Sequence, residues 1–173
     1  DLREIIQTLE QKYQKDVEIV FDAHTPTLLR LDTMAMVIAI ANIFENAFYW
    51  TRQRQQATKE PAHIRMTVHA NGADTVRIAI SDNGGGAAPE YLVRDENARR
   101  QAIFNLNATQ RPNGTGLGLA ETWHVIRDMG GTIIAENKNG GAEFVIDLPV
   151  EKNAMRQLPF ELVLKNVDRQ GIV

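Results

Sequence analysis

The 173-residue chain contains no cysteine. Disulfides, thiolate metal sites and cysteine-based redox chemistry are thereby excluded. It also lacks an excess of charge of either sign. Its 19 basic and 22 acidic residues are well mixed and leave a formal net charge of −3, which offers no electrostatic footprint for nucleic acid or an anionic membrane. An anionic ligand must therefore be held locally. Long apolar runs are missing too. The longest, Met34 to Ala41, falls far short of the roughly 20 residues needed to cross a bilayer, so no membrane contact is expected of this chain. The opening DLREIIQTLEQKYQK has no basic-then-apolar leader pattern, and a cytoplasmic location is the expectation, with anchoring of a parent protein left open. An initiator Met is lacking as well, and the chain opens inside a helical pattern, as expected of a piece of a longer protein. What is present, 43% hydrophobic residues, suffices for one core of ordinary size but not for two.

Leu2, Ile5, Ile6, Leu9 and Tyr13 recur at helical spacing and predict an amphipathic helix ending near Lys15. Val17–Phe21 and Thr27–Leu31 are β-rich and flank turn chemistry at Asp22–Pro26, so two short strands are expected. Asp32 is placed to cap a helix from Thr33 to about Arg52, apolar nearly all round except at Asn42, Glu45 and Asn46. A polar loop, Gln53–Ala62, then leads to a hairpin of His63–Ala70 and Thr75–Ser81. Asp82 to Asn113 shows no sustained periodicity, only a short helix near Glu96–Phe104, and a stretch of that length is usually a functional loop. A helix over Leu117–Met129 and a second hairpin follow, Thr132–Glu136 and Ala142–Leu148 around Asn137–Gly141. The tail from Val150 to Val173 carries one strand-like run, Phe160–Leu164. Segregated antiparallel strands with helices predict an α/β two-layer sandwich.

Three constellations bear chemistry. Asn42 and Asn46 lie four residues apart, so their amides stack on one helix face. A buried amide without partners costs about 1–3 kcal/mol. A metal-bound phosphate would partner them, because a side-chain carbonyl is a hard oxygen ligand of the kind Mg²⁺ accepts; hydrogen bonding to a neighbouring loop is the plainer reading. The strand Thr75–Ser81 runs into Asp82-Asn83-Gly84-Gly85-Gly86. A carboxylate beside glycines offers an acceptor where a flat ring such as adenine can approach; an Asx turn in an ordinary glycine loop is the alternative. Finally, Gly114-Thr115-Gly116-Leu117-Gly118-Leu119-Ala120 opens a helix whose unpaired N–H groups and dipole favour a phosphate. Neither the dinucleotide pattern G-x-G-x-x-G nor a Walker sequence fits these residues.

In order and spacing, Asn42/Asn46, the strand ending in DNGGG, the long loop and GTGLGLA closely resemble the N, G1 and G2 boxes of the histidine-kinase catalytic domain, a member of the gyrase, Hsp90, histidine kinase and MutL (GHKL) superfamily. The resemblance covers residues 1 to 149, with Ile103-Phe104 as the start of an F box and 150–173 as a C-terminal extension of unassigned role. It implies a Bergerat-type fold, with a mixed, largely antiparallel sheet covered by helices on one face. It further implies ATP with Mg²⁺, and transfer of the γ-phosphoryl group to a histidine on a separate dimerisation domain of the parent chain, upstream of a response regulator in two-component signalling. By that resemblance Asn42 and Asn46 are the catalytic pair. Asn46 coordinates Mg²⁺ and Asn42 supports phosphates or metal. Asp82 binds the adenine amino group, while Gly84 and Gly86 permit close approach. Gly114, Thr115, Gly116, Leu117 and Gly118 contact the phosphates, residues 87–113 form the lid, and Arg111 is a further phosphate contact.

The chain departs from the family pattern in places. Tyr49 occupies the position three residues after Asn46 where Lys or Arg is frequent, with Arg52 as a less well-placed substitute, and Leu106 and Asn107 replace the usual Pro and Phe of the F box. Gyrase-type ATPases resemble this helix with a glutamate where Asn42 stands, so no agent for water activation is evident; Glu45 is expected in a surface hydrogen bond or ion pair. His24, His63, His69 and His124 have neither metal-ligand spacing nor the acidic residue and proline of a phosphoacceptor box. Trp50 and Trp123 are expected in packing. The leading expectation is thus a protein-histidine kinase catalytic domain without its own phosphoacceptor. The alternatives are a regulatory nucleotide-binding module without phosphotransfer and a GHKL ATPase.

Overall fold

The structure is a computed structural model, and it describes residues 2–150 apart from 14, 15, 23, 24, 26–28, 30, 96, 98 and 113. The strand expected at Phe160–Leu164 lies outside the described residues.

The first helix, α1 (Leu2–Tyr13), buries the apolar stripe read from the sequence, Leu2, Ile5, Ile6, Leu9 and Tyr13. A short strand, β1 (Glu18–Phe21), follows. Of the second strand expected at Thr27–Leu31, residues 27, 28 and 30 lie outside the described residues, and Leu29 forms an antiparallel bridge with Val150. Asp32 caps α2 (Thr33–Thr58) by accepting a hydrogen bond of 3.0 Å from the Ala35 N–H. This helix runs past the end expected near Arg52 into the stretch expected as a loop. No glycine or proline intervenes before Pro61, and Arg and Gln are good helix formers. It stops at Lys59, left-handed at φ 66°, whose N–H returns to the Gln55 carbonyl.

The sheet follows. Strands β2 (Ile64–Ala70) and β3 (Thr75–Asp82) form the first hairpin, and β6 (Thr132–Lys138) and β7 (Gly141–Pro149) the second. The second turn is tighter than expected, closing at Asn139-Gly140 with φ 51° and 78°, the pair of positive values that an Asn-Gly hairpin turn uses. The five-stranded order is β1-β2-β3-β7-β6, antiparallel except for β1 beside β2. Burial alternates along β3, with Val76, Ile78, Ile80 and Asp82 buried, and β7 buries Phe144, Ile146 and Leu148. One face of the sheet is thus covered by helices, as expected of the two-layer sandwich. Polar pairs remain on the other, such as Arg77 bidentate on its cross-strand partner Asp147 at 2.8 and 2.7 Å.

Between β3 and the last helix, α4 (Gly118–Asp128), the chain is more ordered than its lack of periodicity predicts. It forms a helical turn, α3 (Pro89–Leu92), two paired strands, β4 (Arg94–Asp95) and β5 (Arg100–Gln101), and a 3-10 turn, Ala102–Phe104. The helix expected over Glu96–Phe104 is therefore replaced by a hairpin and a turn. Asp95 accepts the Asn97 N–H at 2.8 Å and Arg99 sits at φ 52°, a side-chain-to-backbone competition that favours a turn over a helix. Two side-chain amides tie the stretch to the free edge of β6. Gln101 exchanges hydrogen bonds with both backbone groups of Ala135, each at 2.7 Å, and Asn137 does the same with Ala87, each at 2.8 Å.

Candidate functional site

Helix α2 sets one wall of the site. Asn42, Asn46 and Trp50, spaced by four, form a stripe along it and line a cavity of about 390 Å³, within the usual range for a small-molecule site. Asn42 donates from Nδ2 to the Gly118 carbonyl at 3.1 Å, and Asn46 donates from Nδ2 to the Asn42 carbonyl at 3.1 Å. Both amide nitrogens are thereby used within the protein. No hydrogen bond from a described residue reaches either Oδ1, so hard oxygens are what this wall has to offer a ligand.

The end of β3 supplies the floor. Asp82 is buried, and its Oδ1 takes the Gly84 N–H at 2.7 Å and the Ala142 N–H at 3.3 Å. The second oxygen takes no donor from the described residues, and Asp82 lines the cavity. Burial pushes this carboxyl above the usual carboxylate range, the Gly84 and Ala142 N–H groups offsetting part of the rise. The Asx turn set against an adenine acceptor in the sequence is therefore present, yet it occupies only one oxygen. Gly84 does not line the cavity. A Cβ there would lie 2.6 Å from Trp50 Cβ, so glycine is needed for the loop to lie against α2. Gly86 does line the cavity.

Opposite, Gly114, Thr115, Gly116, Leu117 and Gly118 bring the N-terminus of α4 to the same space. Gly116 adopts φ +65°, a conformation that favours glycine, and a Cβ on it would run into the backbone of Asn107, a contact that only glycine avoids. Thr122 fixes α4 against α2, its hydroxyl shared between the carbonyls of Gly118 at 2.8 Å and Ala39 at 3.2 Å. Tyr91 on α3 reaches across to the Thr109 carbonyl at 3.2 Å, and Arg111 lines the cavity. Of the residues singled out in the sequence, the structure gathers Asn42, Asn46, Asp82, Gly86, Arg111 and Gly114 through Gly118 around one cavity and leaves Gly84 outside it.

Three residues depart at least in part from expectation. Glu45 is on the surface as expected and attracts Lys12, but it makes no direct ion pair or hydrogen bond with a described residue and also lines the cavity. Trp50, expected in packing alone, is half-buried and also lines it; its i+4 spacing from Asn46 was the available signal. Arg52 does not substitute for a cation at Tyr49, because its guanidinium lies over the Phe48 ring, 5.7 Å from the centroid. Phe144 and Glu121 are not singled out in the sequence, and Tyr91 and Ile103 only as part of the expected lid, since each reaches the cavity through a tertiary contact from β7, α4, α3 or the 3-10 turn.

Residues 31–152 match the family model described as histidine kinase-, DNA gyrase B- and HSP90-like ATPase. The sensor histidine kinase ZraS of Salmonella typhimurium is 30% identical over 138 residues, which make up 79% of this chain and 26% of that protein. The sensor protein CitS of Bacillus subtilis is 28% identical over 161 residues, 91% of this chain and 27% of that protein. The chain therefore spans about a quarter of the length of these curated relatives. Among solved structures, the nucleotide-free catalytic domain of histidine kinase ThkA matches with a TM-score of 0.59 and 26% identity, covering 86% of this chain and 89% of that one. Full-length ShkA in complex with AMPPNP matches with a TM-score of 0.60 and 26% identity, covering 86% of this chain and 29% of that one.

Proposed function

The chain belongs to the histidine kinase-, DNA gyrase B- and HSP90-like ATPase family, and from that premise we propose that it is the ATP-binding catalytic domain of a sensor histidine kinase. It holds Mg²⁺-ATP and presents the γ-phosphoryl group to a histidine on another domain of its parent, from which a response regulator is charged. The observation that carries this reading is the convergence of complementary groups on one cavity: the unengaged oxygen of Asp82 at one end and the N-terminus of α4 at the other. The first suits an adenine amino group, the second a phosphate.

The charges of the lining residues bear on the metal. Glu45, Asp82 and Glu121 are the carboxylates and Arg111 the one Lys or Arg among the described residues lining the cavity, so a polyphosphate entering it needs a cation brought with it. Asn46 Oδ1, oriented by the bond from Nδ2 to Asn42, is the oxygen that would hold Mg²⁺, with Asn42 Oδ1 one turn away. Bound there, the metal supplies charge neutralisation to the phosphates. Asn46 and Asn42 would position it, Gly114 through Gly118 would orient the phosphates, and Trp50, packed beside Gly84, borders the Asp82 end of the cavity.

ATP hydrolysis is the competing activity. Four residues before Asn46 stands Asn42, whose amide is already committed to Gly118, and an amide cannot take a proton from water. Transfer to a positioned histidine depends mainly on alignment and charge stabilisation, which this site offers. Calorimetric titration with ATP and ADP tests the reading: the wild-type chain binds both, and Asp82→Asn binds neither at comparable concentration while remaining folded. Equal affinity in the variant removes Asp82 from the site, and absence of binding in the wild type overturns the proposal.

A further inference from the structure

Arg111 is the single Lys or Arg among the described residues lining the cavity, yet it sits in the glycine-flanked loop, not on a rigid element. Its guanidinium carbon lies 4.4 Å from the centroid of the Tyr49 ring, well within the roughly 6 Å over which an aromatic face attracts a cation. Tyr49 follows Asn46 by three residues on α2 and so stands beside it one turn on. The ring itself is braced. It meets Trp50 edge-on at 4.9 Å and 87°, and Trp50 is held in turn by Gly84 packed against its Cβ. The Arg111 main chain is shaped by local turn bonds, its N–H bonded to Thr109 Oγ1 at 3.1 Å and its carbonyl accepting the Gly114 N–H at 3.0 Å.

On the basis of the nucleotide reading above, we infer that Tyr49 is a positioning residue for the phosphate end of the site: its ring holds Arg111 where the helix itself has no cation. The positive charge is supplied in two parts, a ring on the rigid wall and a guanidinium on the loop. A cation–π contact leaves the guanidinium N–H groups free at its rim, so Arg111 can rest on Tyr49 and still donate to phosphate oxygens. The Tyr at a place where a cation is frequent in similar domains is thus a relocation of the charge and not its loss.

A set of variants read by calorimetry with ATP and adenosine in parallel tests this. Arg111→Ala weakens ATP about tenfold or more and adenosine less than about twofold, as loss of a charge-assisted contact to phosphate requires. Tyr49→Leu weakens ATP about three- to tenfold, and Tyr49→Phe recovers most of that loss because the ring returns. The double variant Tyr49→Leu/Arg111→Ala binds ATP as Arg111→Ala does, since Tyr49 acts only through the arginine. Tyr49→Lys in the Arg111→Ala background restores a cation directly and binds ATP more tightly than Arg111→Ala alone. The inference is overturned if Tyr49→Leu leaves ATP affinity unchanged, if it weakens adenosine as much as ATP, if Tyr49→Phe fails to recover the loss, or if the two losses add. Its failure is distinct from that of the nucleotide reading, which falls only if the wild type binds no ATP or Asp82→Asn binds it equally well.

Discussion

Asn42 donates its side-chain amide to the carbonyl oxygen of Gly118 at 3.1 Å, across 76 residues of sequence. The bond joins the helix that carries the asparagines to the helix terminus that opens the glycine run, so two walls of the cavity are set by one amide. Asn42→Asp presents an acceptor to an acceptor and should destabilise the fold by about 1–3 kcal/mol. Asn42→Ala should cost less, since the Thr122 hydroxyl still reaches the Gly118 carbonyl. Urea unfolding of the three proteins checks the order. Equal midpoints for wild type and Asn42→Asp would show that the Asn42–Gly118 bond adds nothing to the hold between the two helices.

Asp82 is expected to separate stability from binding. Burial raises its carboxyl above the usual range, so its folded pKa lies above its unfolded value near 3.9. The contribution to stability is therefore present below the unfolded pKa and lost as pH rises through the folded one. At pH 7 the buried charge is a cost to folding, and Asp82→Asn should be at least as stable as wild type while losing nucleotide. In the wild type, affinity should fall on acidification at a higher pH than an ordinary surface carboxylate would give. Nucleotide titrations from pH 7 down to pH 4 follow this; a flat profile, or a variant both unfolded and inactive, counts against it.

Much of this site was legible because its residues repeat at the period of a regular element or stand at its end. Asn42 and Asn46 mark one face of α2, Asp82 ends a clean alternation and Gly118 opens a helix. The two hairpins of the main sheet follow from the same alternation, and β1 from a β-rich run beside turn residues. The stretch from 87 to 113 did not yield. Its order comes from Gln101 pairing with the Ala135 backbone of β6 at 2.7 Å and from Asn137 of β6 pairing with the Ala87 backbone at 2.8 Å, and no local period encodes such contacts between segments far apart in sequence. The overrun of α2 past Arg52 is hidden for the opposite reason: Gln53 to Ala57 are polar in composition, as a loop is, yet each is a good helix former.

Phe104 divides the stretch expected to form a lid. It is fully buried, with its ring set edge-on to Phe144 at 6.3 Å, whereas Leu106 two residues later is 62% exposed. Phe104→Ala should cost about 3–5 kcal/mol, as for other buried aromatics. Amides of β5 and the 3-10 turn should exchange slowly with or without nucleotide, and those from Leu106 to Arg111 should slow only when a non-hydrolysable ATP analogue is added. Strong protection of Leu106–Arg111 in the nucleotide-free protein would rule out a lid there.

Asn46 is expected to carry the metal dependence of binding. Its Nδ2 is engaged by the Asn42 carbonyl at 3.1 Å, which leaves Oδ1 as the ligand a small hard cation accepts. Asn46→Ala removes that oxygen and nothing from the adenine end. ATP affinity with excess chelator should match the wild type within about twofold, and the gain on adding Mg²⁺ should shrink by about tenfold, the size of one lost charge-assisted contact. Should Mg²⁺ strengthen ATP binding equally in both proteins, the metal is held elsewhere.

This chain incubated alone with Mg²⁺-ATP should not become phosphorylated on histidine. His63, His69 and His124 are exposed and none of them lines the cavity, while His24 lies outside the described residues. Phosphoryl transfer requires donor and acceptor in near-attack alignment, and fixing that geometry is worth roughly 7–11 kcal/mol of barrier. Within one molecule, a histidine on β2 or α4 cannot reach that alignment without unfolding the element that carries it. On the proposed reading the acceptor is brought by another domain. Radiolabelled ATP is mixed with the chain in the presence and absence of the histidine-bearing helical domain of its parent, and the products are tested for acid-labile, base-stable label. Label on the added domain only, and lost in Asn46→Ala, is the expected result. Label on the isolated chain would place an acceptor within it, and no label on either protein, with ATP still bound, would favour a nucleotide-sensing module over a kinase.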